Sequence, residues 1–241
     1  MNEANEKLMA EIMSLFAETF PAQAVLKGGM ELRLFNCPRY TNDLDYVFVP
    51  FKSKKNVEKR IIDALNTLPD ATITHSLNSK VLRCVVVRIN TKVMVEVTVD
   101  TECPSQEMST QSISAKAGLP QRIIRIMRLD VALSHKVAAF IERRLIRDLY
   151  DIYFFVLVMN VSPDKETLLS RLNKLMIREG VKTVKKKMSV TESKKILINT
   201  ATELTKEKVY REMSDYLDKH ELLGLEHKIK IALNKLSDNI L

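Results

Sequence analysis

The feature that most constrains the fold of this sequence is a pair of aspartates inside a β-branched and aromatic run. Asp43 and Asp45 are separated by one leucine and are followed by Tyr46-Val47-Phe48-Val49, a composition typical of a strand that enters a core. In a strand, side chains two residues apart lie on the same face. Two neighbouring carboxylates on one face repel each other unless a cation lies between them. The pair therefore predicts a metal site on one face of a sheet.

Two further features are typical of a site that handles phosphates. Gly28 and Gly29 follow a short apolar run and precede a segment with helical character, and glycine lets the backbone approach an anion closely. Glu96 lies in a second β-branched run, residues 93–99, and would bring a third carboxylate to the same face if the two strands are neighbours. Mg²⁺ prefers oxygen ligands and often shares them with substrate phosphates. The combination suits two-metal nucleotidyl transfer.

Each of these signals alone has a more ordinary interpretation. A Gly-Gly pair is most often a tight turn, an Asp-X-Asp pair is most often two solvated carboxylates, and a lone glutamate in a strand most often faces solvent. All three occur here in this order, and each lies at the edge of a predicted element. Their joint occurrence favours the catalytic interpretation.

Four short segments resemble the motifs of a known family. Residues 26–33, LKGGMELR, followed by residues 39–45, RYTNDLD, resemble the opening motif of AbiEii/AbiGii-type nucleotidyltransferase toxins, which belong to the DNA polymerase β-like nucleotidyltransferase superfamily. Residues 133–139, LSHKVAA, and 147–153, RDLYDIY, match the later motifs, which contain a catalytic lysine and an RDxxD aspartate. The resemblance covers roughly residues 24 to 155. Many superfamily members have Gly-Ser at the position of Gly28-Gly29, so here the backbone must seat the phosphate without a serine hydroxyl.

The resemblance implies a Mg²⁺-dependent enzyme that transfers NMP from an NTP to a hydroxyl acceptor. The implied metal ligands and catalytic carboxylates are Asp43, Asp45 and Glu96. The implied triphosphate contacts are Gly28, Gly29, Arg39 and Lys136, and Asp151 would orient Lys136 or the nucleotide. The family also implies a toxin–antitoxin setting and, for some members, addition of nucleotides to the tRNA 3′ end.

The residues around Lys136 and Asp151 leave two interpretations open. Lys136 lies near the edge of the apolar stripe of a predicted helix over 128–144, where it is either a surface side chain or a cation directed at a triphosphate. Asp151 lies in a strongly apolar segment, and a buried carboxylate there needs a cationic partner, either Lys136 or Arg147. Such a pair either locks two helices together or serves catalysis, and both can be true.

The hydrophobic periodicity predicts two regions. Strand-like runs near 23–27, 43–49, 71–77, 80–90 and 92–100, with helices before and between them, predict an α/β (α+β) nucleotidyltransferase core with a mixed sheet over residues 1–115. Strand signals nearly stop after the Ser- and Thr-rich stretch 101–120. Residues 116–241 are therefore predicted to form an all-α helical domain, which contributes Lys136 and Asp151 to the active site and also a basic surface.

The positive charge of the chain is concentrated in one segment. The net charge is +8, and residues 171–195 contain nine Lys or Arg and two acidic residues, an excess that suits an RNA phosphate backbone. The predicted RNA contacts are Lys182, Lys185, Lys186 and Lys187. Because tryptophan is absent, binding of a single strand through base stacking is disfavoured, and structured RNA such as tRNA is the favoured ligand. A solvated basic face and an anionic partner protein are the alternatives.

Several classes of protein are not expected. No apolar run approaches the ~20 residues of a membrane-spanning helix, and the N-terminal segment is not expected to be a signal peptide. The three cysteines lack metal-ligand spacing and an activating partner, so we expect reduced thiols, no cysteine nucleophile and a cytoplasmic location.

These observations together predict a nucleotidyltransferase toxin with an NTP, tRNA and an antitoxin as partners. Two alternatives remain. A small-molecule nucleotidyltransferase of the antibiotic-modifying type is disfavoured by the basic C-terminal half. A non-catalytic nucleotide-binding partner module is disfavoured by the intact set of Asp43, Asp45, Lys136 and Asp151.

Overall fold

A computed structural model of the chain describes residues 3–179 and 182–239, without the side chains of residues 178, 179 and 239. It separates into two compact units, residues 1–128 and 129–241. The predicted fold class, an α/β nucleotidyltransferase core with mixed sheet followed by a helical region, is confirmed.

The first unit is built on a seven-stranded mixed sheet with the strand order β3-β4-β5-β2-β1-β7-β6. Its elements follow in chain order: α1 (Glu3–Thr19), β1 (Ala24–Lys27), α2 (Gly29–Leu34), β2 (Asp43–Phe48), a short 3-10 turn, α3 (Glu58–Leu65), β3 (Thr72–Leu77), β4 (Leu82–Arg88), β5 (Thr91–Val99), β6 (Ser105–Ser109), α4 (Gln111–Ala117) and β7 (Ile123–Met127). The pairs β2–β5 and β1–β7 are parallel and the others are antiparallel.

The two faces of this sheet differ in burial. On one face, the side chains of Leu44, Tyr46 and Phe48 are buried, and Phe16 of α1 packs on Tyr46 and Phe48 with ring centroids 5.0 and 5.8 Å apart. Burial raises the pKa of Tyr46 well above its ordinary value. Because side chains alternate along a strand, Asp43 and Asp45 lie on the opposite face, where both are only partly buried.

The first unit extends beyond the predicted boundary at residue 115. Strands β6 and β7 pair with each other, and β7 joins the sheet beside β1 through Val25 and Leu26. The two prolines and the many serine, threonine and glutamine residues of 101–120 predict a boundary or an active-site loop there. Strand β6 lies within that segment and pairs with β7, so sheet pairing overrides the local preference.

The second unit is mainly helical. It contains α5 (Leu129–Arg143), α6 (Ile146–Tyr153), which continues as a π-helical turn over Phe154–Val158, α7 (Lys165–Leu172), β8 (Leu175–Glu179), β9 (Lys182–Lys186), α8 (Val190–Glu203), α9 (Lys206–Met213) and α10 (Leu225–Asn239). Helix α5 packs on α6, α7 and β8, and α10 packs on α6 and α8. Side-chain caps begin α7, α8 and α9 at Asp164, Ser189 and Thr205, as serine, threonine and aspartate do at helix starts.

One segment of the second unit differs from the helix expected there. Strands β8 and β9 form an antiparallel hairpin with Leu175 opposite Lys186 and Ile177 opposite Val184. Leu175 is fully buried, and β8 packs on α5, so Leu175 anchors the hairpin. The lysines of this segment indicated a solvated surface, and they carried no information about whether that surface was a helix or a strand.

Candidate active site

The paired aspartates lie in the middle of the sheet. Strand β2 carries Asp43 and Asp45 on its less buried face, between β1 and β5. Asp45 is aligned with Lys27 of β1 on one side and with Glu96 of β5 on the other. Residues aligned across neighbouring strands project to the same face. The sheet therefore places Lys27, Asp45 and Glu96 in one row across this face. Asp43 lies on the same face, two residues before Asp45 in β2.

Gly28 is in contact with this row. It has a φ of +81°, and a Cβ atom added to it would lie 2.5 Å from the Asp45 Oδ2 atom, closer than any real contact. A positive φ is readily adopted only by glycine. Both the backbone conformation and the approach to the Asp45 carboxylate thus require glycine at residue 28.

The second glycine packs against Arg39. A Cβ atom added to Gly29 would lie 2.8 Å from the Arg39 Nη2 atom and 3.0 Å from the Thr41 Oγ1 atom. Arg39 is 6% exposed, and its Nη1 donates to the Tyr40 carbonyl over 3.2 Å. The structure therefore brings Gly28, Gly29 and Arg39 together beside Asp45, and their role as triphosphate contacts remains a prediction.

Glu96 has a cationic neighbour that the sequence analysis missed. Arg83 of β4 is aligned with Glu96, and its Nε and Nη2 atoms donate to Glu96 Oε1 over 2.9 and 2.6 Å. Within the described ranges, no group of three acidic, histidine or cysteine residues is arranged to hold a metal ion. Asp43 and Asp45 are a donor set that fits a hard divalent cation. The role of Glu96 as a third ligand remains a prediction.

Lys136 and Asp151 form an ion pair between α5 and α6. The Lys136 Nζ atom is 2.5 Å from Asp151 Oδ2 and 3.9 Å from Asp148 Oδ1. The lysine side chain is 17% exposed, whereas both aspartate side chains are 1% exposed. Arg143 completes the cluster because its Nη2 and Nε atoms donate to the two Asp148 oxygens over 2.6 and 3.1 Å. The expected cationic partner of Asp151 is therefore Lys136.

The predicted catalytic residues are divided between the two units. Asp43, Asp45 and Glu96 belong to the first unit, and Lys136 and Asp151 belong to the second. Each group is assembled within its own unit as described above. That the two groups act on one nucleotide is an expectation from the family resemblance.

The predicted RNA contacts lie on the hairpin of the second unit. Lys182, Lys185 and Lys186 of β9, together with Lys187 that follows it, are hereafter called the hairpin lysines, and all four are exposed. None of them forms an ion pair with another residue in the part of the chain that the structure describes. By contrast, Arg171 of the same basic segment is bound to Glu142 at 3.3 Å.

The cysteine thiols are poorly suited to nucleophilic chemistry. Burial, together with the nearby Glu58 carboxylate, raises the pKa of Cys84 to about 11. Burial, together with the nearby Glu31 and Asp100 carboxylates, raises the pKa of Cys103 to about 11. Since the thiolate is the reactive form, these shifts disfavour Cys84 and Cys103 as nucleophiles.

The arginine partners were not predicted, although a weak signal for one of them was present. Arg83 stands between two buried residues, Leu82 and Cys84, an alternation that places it on the same face as Glu96. Arg143 is the last residue of α5 and reaches Asp148 across the junction with α6. Neither pairing follows from spacing alone, because each depends on how two elements pack.

Solved structures share this fold. MenT4, a nucleotidyltransferase toxin from Mycobacterium tuberculosis H37Rv, is similar with a TM-score of 0.62 and 14% identity, covering 99% of this chain and 86% of that one. JHP933 from Helicobacter pylori is similar with a TM-score of 0.54 and 15% identity, covering 98% of this chain and 92% of that one. A search of curated proteins found no match. Among the described residues, none of the helices has the length and apolar character needed to cross a membrane.

The sequence itself identifies the family. A sequence model described as nucleotidyl transferase AbiEii toxin, type IV TA system, matches residues 12–226. The match spans most of the chain, so this protein belongs to the AbiEii family of nucleotidyltransferase toxins. The resemblance inferred from the four short motifs is thereby confirmed.

Proposed function

We propose that the protein is a Mg²⁺-dependent nucleotidyltransferase toxin that transfers NMP from an NTP to the 3′ hydroxyl of tRNA. The observation that carries the proposal is the contact of Gly28 with Asp45, on the sheet face that also bears Asp43. A glycine backbone beside two carboxylates can accept a triphosphate that shares oxygen ligands with a cation. NTPs and tRNA are cytoplasmic, so the proposal places the protein in the cytoplasm, with an antitoxin as its partner.

In the first unit, Asp43 and Asp45 would hold the divalent metal. The bound metal would neutralise the charge that develops on the transferred phosphoryl group. Gly28 and Gly29 would let the triphosphate approach the backbone, and Arg39, which is held against Gly29, would pair with a phosphate oxygen.

Glu96 has a conditional role in the proposal. As a third ligand or as the base for the acceptor hydroxyl, it would have to exchange its hydrogen bonds with Arg83 for the new interaction. Arg83 is 45% exposed, so its side chain can turn to solvent without leaving a buried charge unpaired.

In the second unit, Lys136 would neutralise the triphosphate, and Asp151 would hold it in position. The 2.5 Å ion pair fixes the ammonium group, because the aspartate is almost fully buried and cannot move to solvent. A cation that is already held in position does not have to reorganise when charge develops in the transition state, so its stabilising interaction with that charge is not reduced by a reorganisation cost. The structural and catalytic interpretations of this pair are therefore compatible.

The acceptor assignment depends on the hairpin lysines. They form an exposed basic ribbon without ion-pair partners among the described residues, which is suited to binding the backbone of structured RNA. Replacing Lys185, Lys186 and Lys187 by alanine is expected to weaken RNA binding and to lower the log–log salt slope by roughly one unit for each phosphate that is no longer neutralised.

The experiment is to incubate the protein with each radiolabelled NTP and total RNA, and to map the labelled positions by 3′-end sequencing. A matched control is the triple alanine variant of Lys206, Lys219 and Lys228, three exposed lysines of the same unit. We expect labelled tRNA 3′ ends with the wild type and the control, and reduced labelling with the hairpin variant. Labelling of a small molecule alone, or equal labelling of RNA by all three proteins across a salt titration, would contradict the tRNA assignment.

A further inference from the structure

A cavity of about 320 Å³ opens to solvent at the surface of the second unit, at the end of α5, the start of α6 and the turn between α8 and α9. This volume lies within the range of small-molecule sites. Among the residues that the structure describes, its lining includes none of the predicted catalytic residues and none of the hairpin lysines. The cavity is therefore a separate feature from the candidate active site.

Three cations line this cavity without acidic partners. They are Arg144, which follows α5, and Lys208 and Arg211 of α9. Within residues 3–179 and 182–239, none of these three side chains forms an ion pair or donates a hydrogen bond. All three residues are exposed, so solvent screens their mutual repulsion, and an anion between them would be attracted by all three charges.

The two acidic residues of the lining offset only part of this positive charge. Glu212 Oε2 accepts the backbone N–H of Ile146 over 3.3 Å, and Glu203 forms no ion pair with another residue in the described ranges. With three cations against two carboxylates, the lining has a net charge of +1. The cavity therefore favours an anionic ligand.

Arg144 is held in an unusual backbone conformation at this cavity. Its φ is +58°, in the left-handed region that glycine and asparagine usually occupy at helix ends, and its N–H donates to the Phe140 carbonyl over 2.8 Å. Its guanidinium lies 5.5 Å from the centroid of the Phe140 ring. Burial lowers the pKa of Arg144. Non-glycine residues in this backbone region occur preferentially at functional sites.

The shape of the lining indicates the kind of anion. The stacked guanidinium of Arg144 presents a planar fork, which matches the oxygens of a phosphate group. Apolar side chains, Leu149 and Leu204, form another part of the wall, and they have no role in binding a bare inorganic ion. The cavity thus suits a phosphate attached to an organic group.

We infer that this cavity binds the phosphate of a nucleotide, with Arg144, Lys208 and Arg211 as its cationic contacts. A free nucleotide and a nucleotide within an RNA strand share this chemistry. The inference does not depend on nucleotidyl transfer, because the site is built from other residues.

The experiment uses the full-length protein with ¹³C-labelled isoleucine and leucine methyl groups, in EDTA to suppress metal-dependent binding elsewhere. Inorganic phosphate, each of the four NMPs and a single-stranded RNA of ten nucleotides are titrated separately. The methyl signals of Ile146, Leu149 and Leu204, which line the cavity, report binding there. Leu8 and Leu32, buried in the first unit, serve as reference signals.

We expect saturable shifts of the three cavity signals with at least one NMP or with the RNA, and weaker or no shifts with inorganic phosphate. Arg144→Asn, which suits the left-handed backbone, and Arg211→Gln should each weaken binding about tenfold or more. Lys219→Gln, an exposed lysine outside the cavity, should leave the affinity unchanged, and so should Asp43→Asn. The relative affinities for NMP and RNA distinguish the two sources of the phosphate.

Two results would overturn the inference. One is the absence of shifts at the cavity signals with every NMP and with the RNA. The other is saturable binding that Arg144→Asn and Arg211→Gln leave unchanged while both variants keep the wild-type melting temperature.

Discussion

Replacing Lys136 by methionine tests whether the ion pair between α5 and α6 stabilises the second unit. The change removes the ammonium group that lies 2.5 Å from Asp151 and 3.9 Å from Asp148, while most of the side-chain volume is kept. Both aspartate side chains are 1% exposed, so water cannot replace the missing cation. Removing one partner of a buried ion pair costs about 3–5 kcal/mol. We expect a value near the lower end, because Arg143 still neutralises Asp148.

The reciprocal variant, Asp151→Asn, should cost less. Lys136 is 17% exposed and keeps Asp148 within 3.9 Å, so its charge retains both water and a carboxylate. Loss of the charged hydrogen bond then costs about 1.5–3 kcal/mol. The double variant Lys136→Met/Asp151→Leu should be more stable than Lys136→Met alone, since apolar replacement of a buried ion pair is often neutral.

The assay is urea unfolding followed by circular dichroism, together with the melting temperature. For a chain of this size, about 3 kcal/mol corresponds to a decrease of roughly 6–12 °C. A Lys136→Met protein that melts within about 2 °C of the wild type, or one more stable than Asp151→Asn, would refute the reasoning.

Two further substitutions test the first unit. Gly28→Ala should cost about 2 kcal/mol or more of unfolding free energy and abolish transfer, because the added Cβ would lie 2.5 Å from Asp45 Oδ2. Gly118 is the control, because it has a φ of +67° and an added Cβ would have no atom within 4 Å. Gly118→Ala should therefore cost only about 1 kcal/mol of unfolding free energy and keep activity. Equal effects of the two variants in urea unfolding and transfer assays would contradict the close approach at Gly28. Arg83→Gln should tighten Mn²⁺ binding by about 1 kcal/mol, or roughly fivefold, as measured by calorimetry. The reason is that the removed positive charge lies two strands away from Asp45, and neighbouring strands are ~4.8 Å apart. Unchanged or weaker Mn²⁺ binding would show that Arg83 does not oppose the metal.

The sequence was most informative where local pattern and tertiary structure agree. The alternation around Asp43 and Asp45 predicted both the strand and the face of the aspartates, because one face of β2 is covered by apolar packing. The five predicted strands between residues 23 and 100 correspond to β1–β5. Many β-branched residues of β1, β2, β4 and β5 are buried in the sheet, so composition and environment give the same answer for these strands.

The sequence was less informative where structure depends on pairing between distant segments. Strand β6 has a polar composition, whereas β7 is a short apolar segment whose place in the sheet is fixed by its parallel pairing with β1, about a hundred residues earlier. The hairpin β8–β9 is anchored through Leu175 on α5, which no local preference encodes. The same holds for the Arg83–Glu96 and Arg143–Asp148 contacts, since long side chains find partners only after the elements have packed.

The most direct test of the proposed function is the effect of Asp43→Asn on transfer of label from an α-³²P NTP to RNA, with pyrophosphate release measured in the same reaction. The account predicts a loss of at least about 10²-fold. It also predicts a melting temperature in metal-free buffer equal to or above that of the wild type, because one of two neighbouring carboxylates loses its charge. Glu102→Gln, at an exposed acidic residue of the same unit, should retain wild-type transfer. Asp43→Asn activity within a few-fold of the wild type would contradict the account.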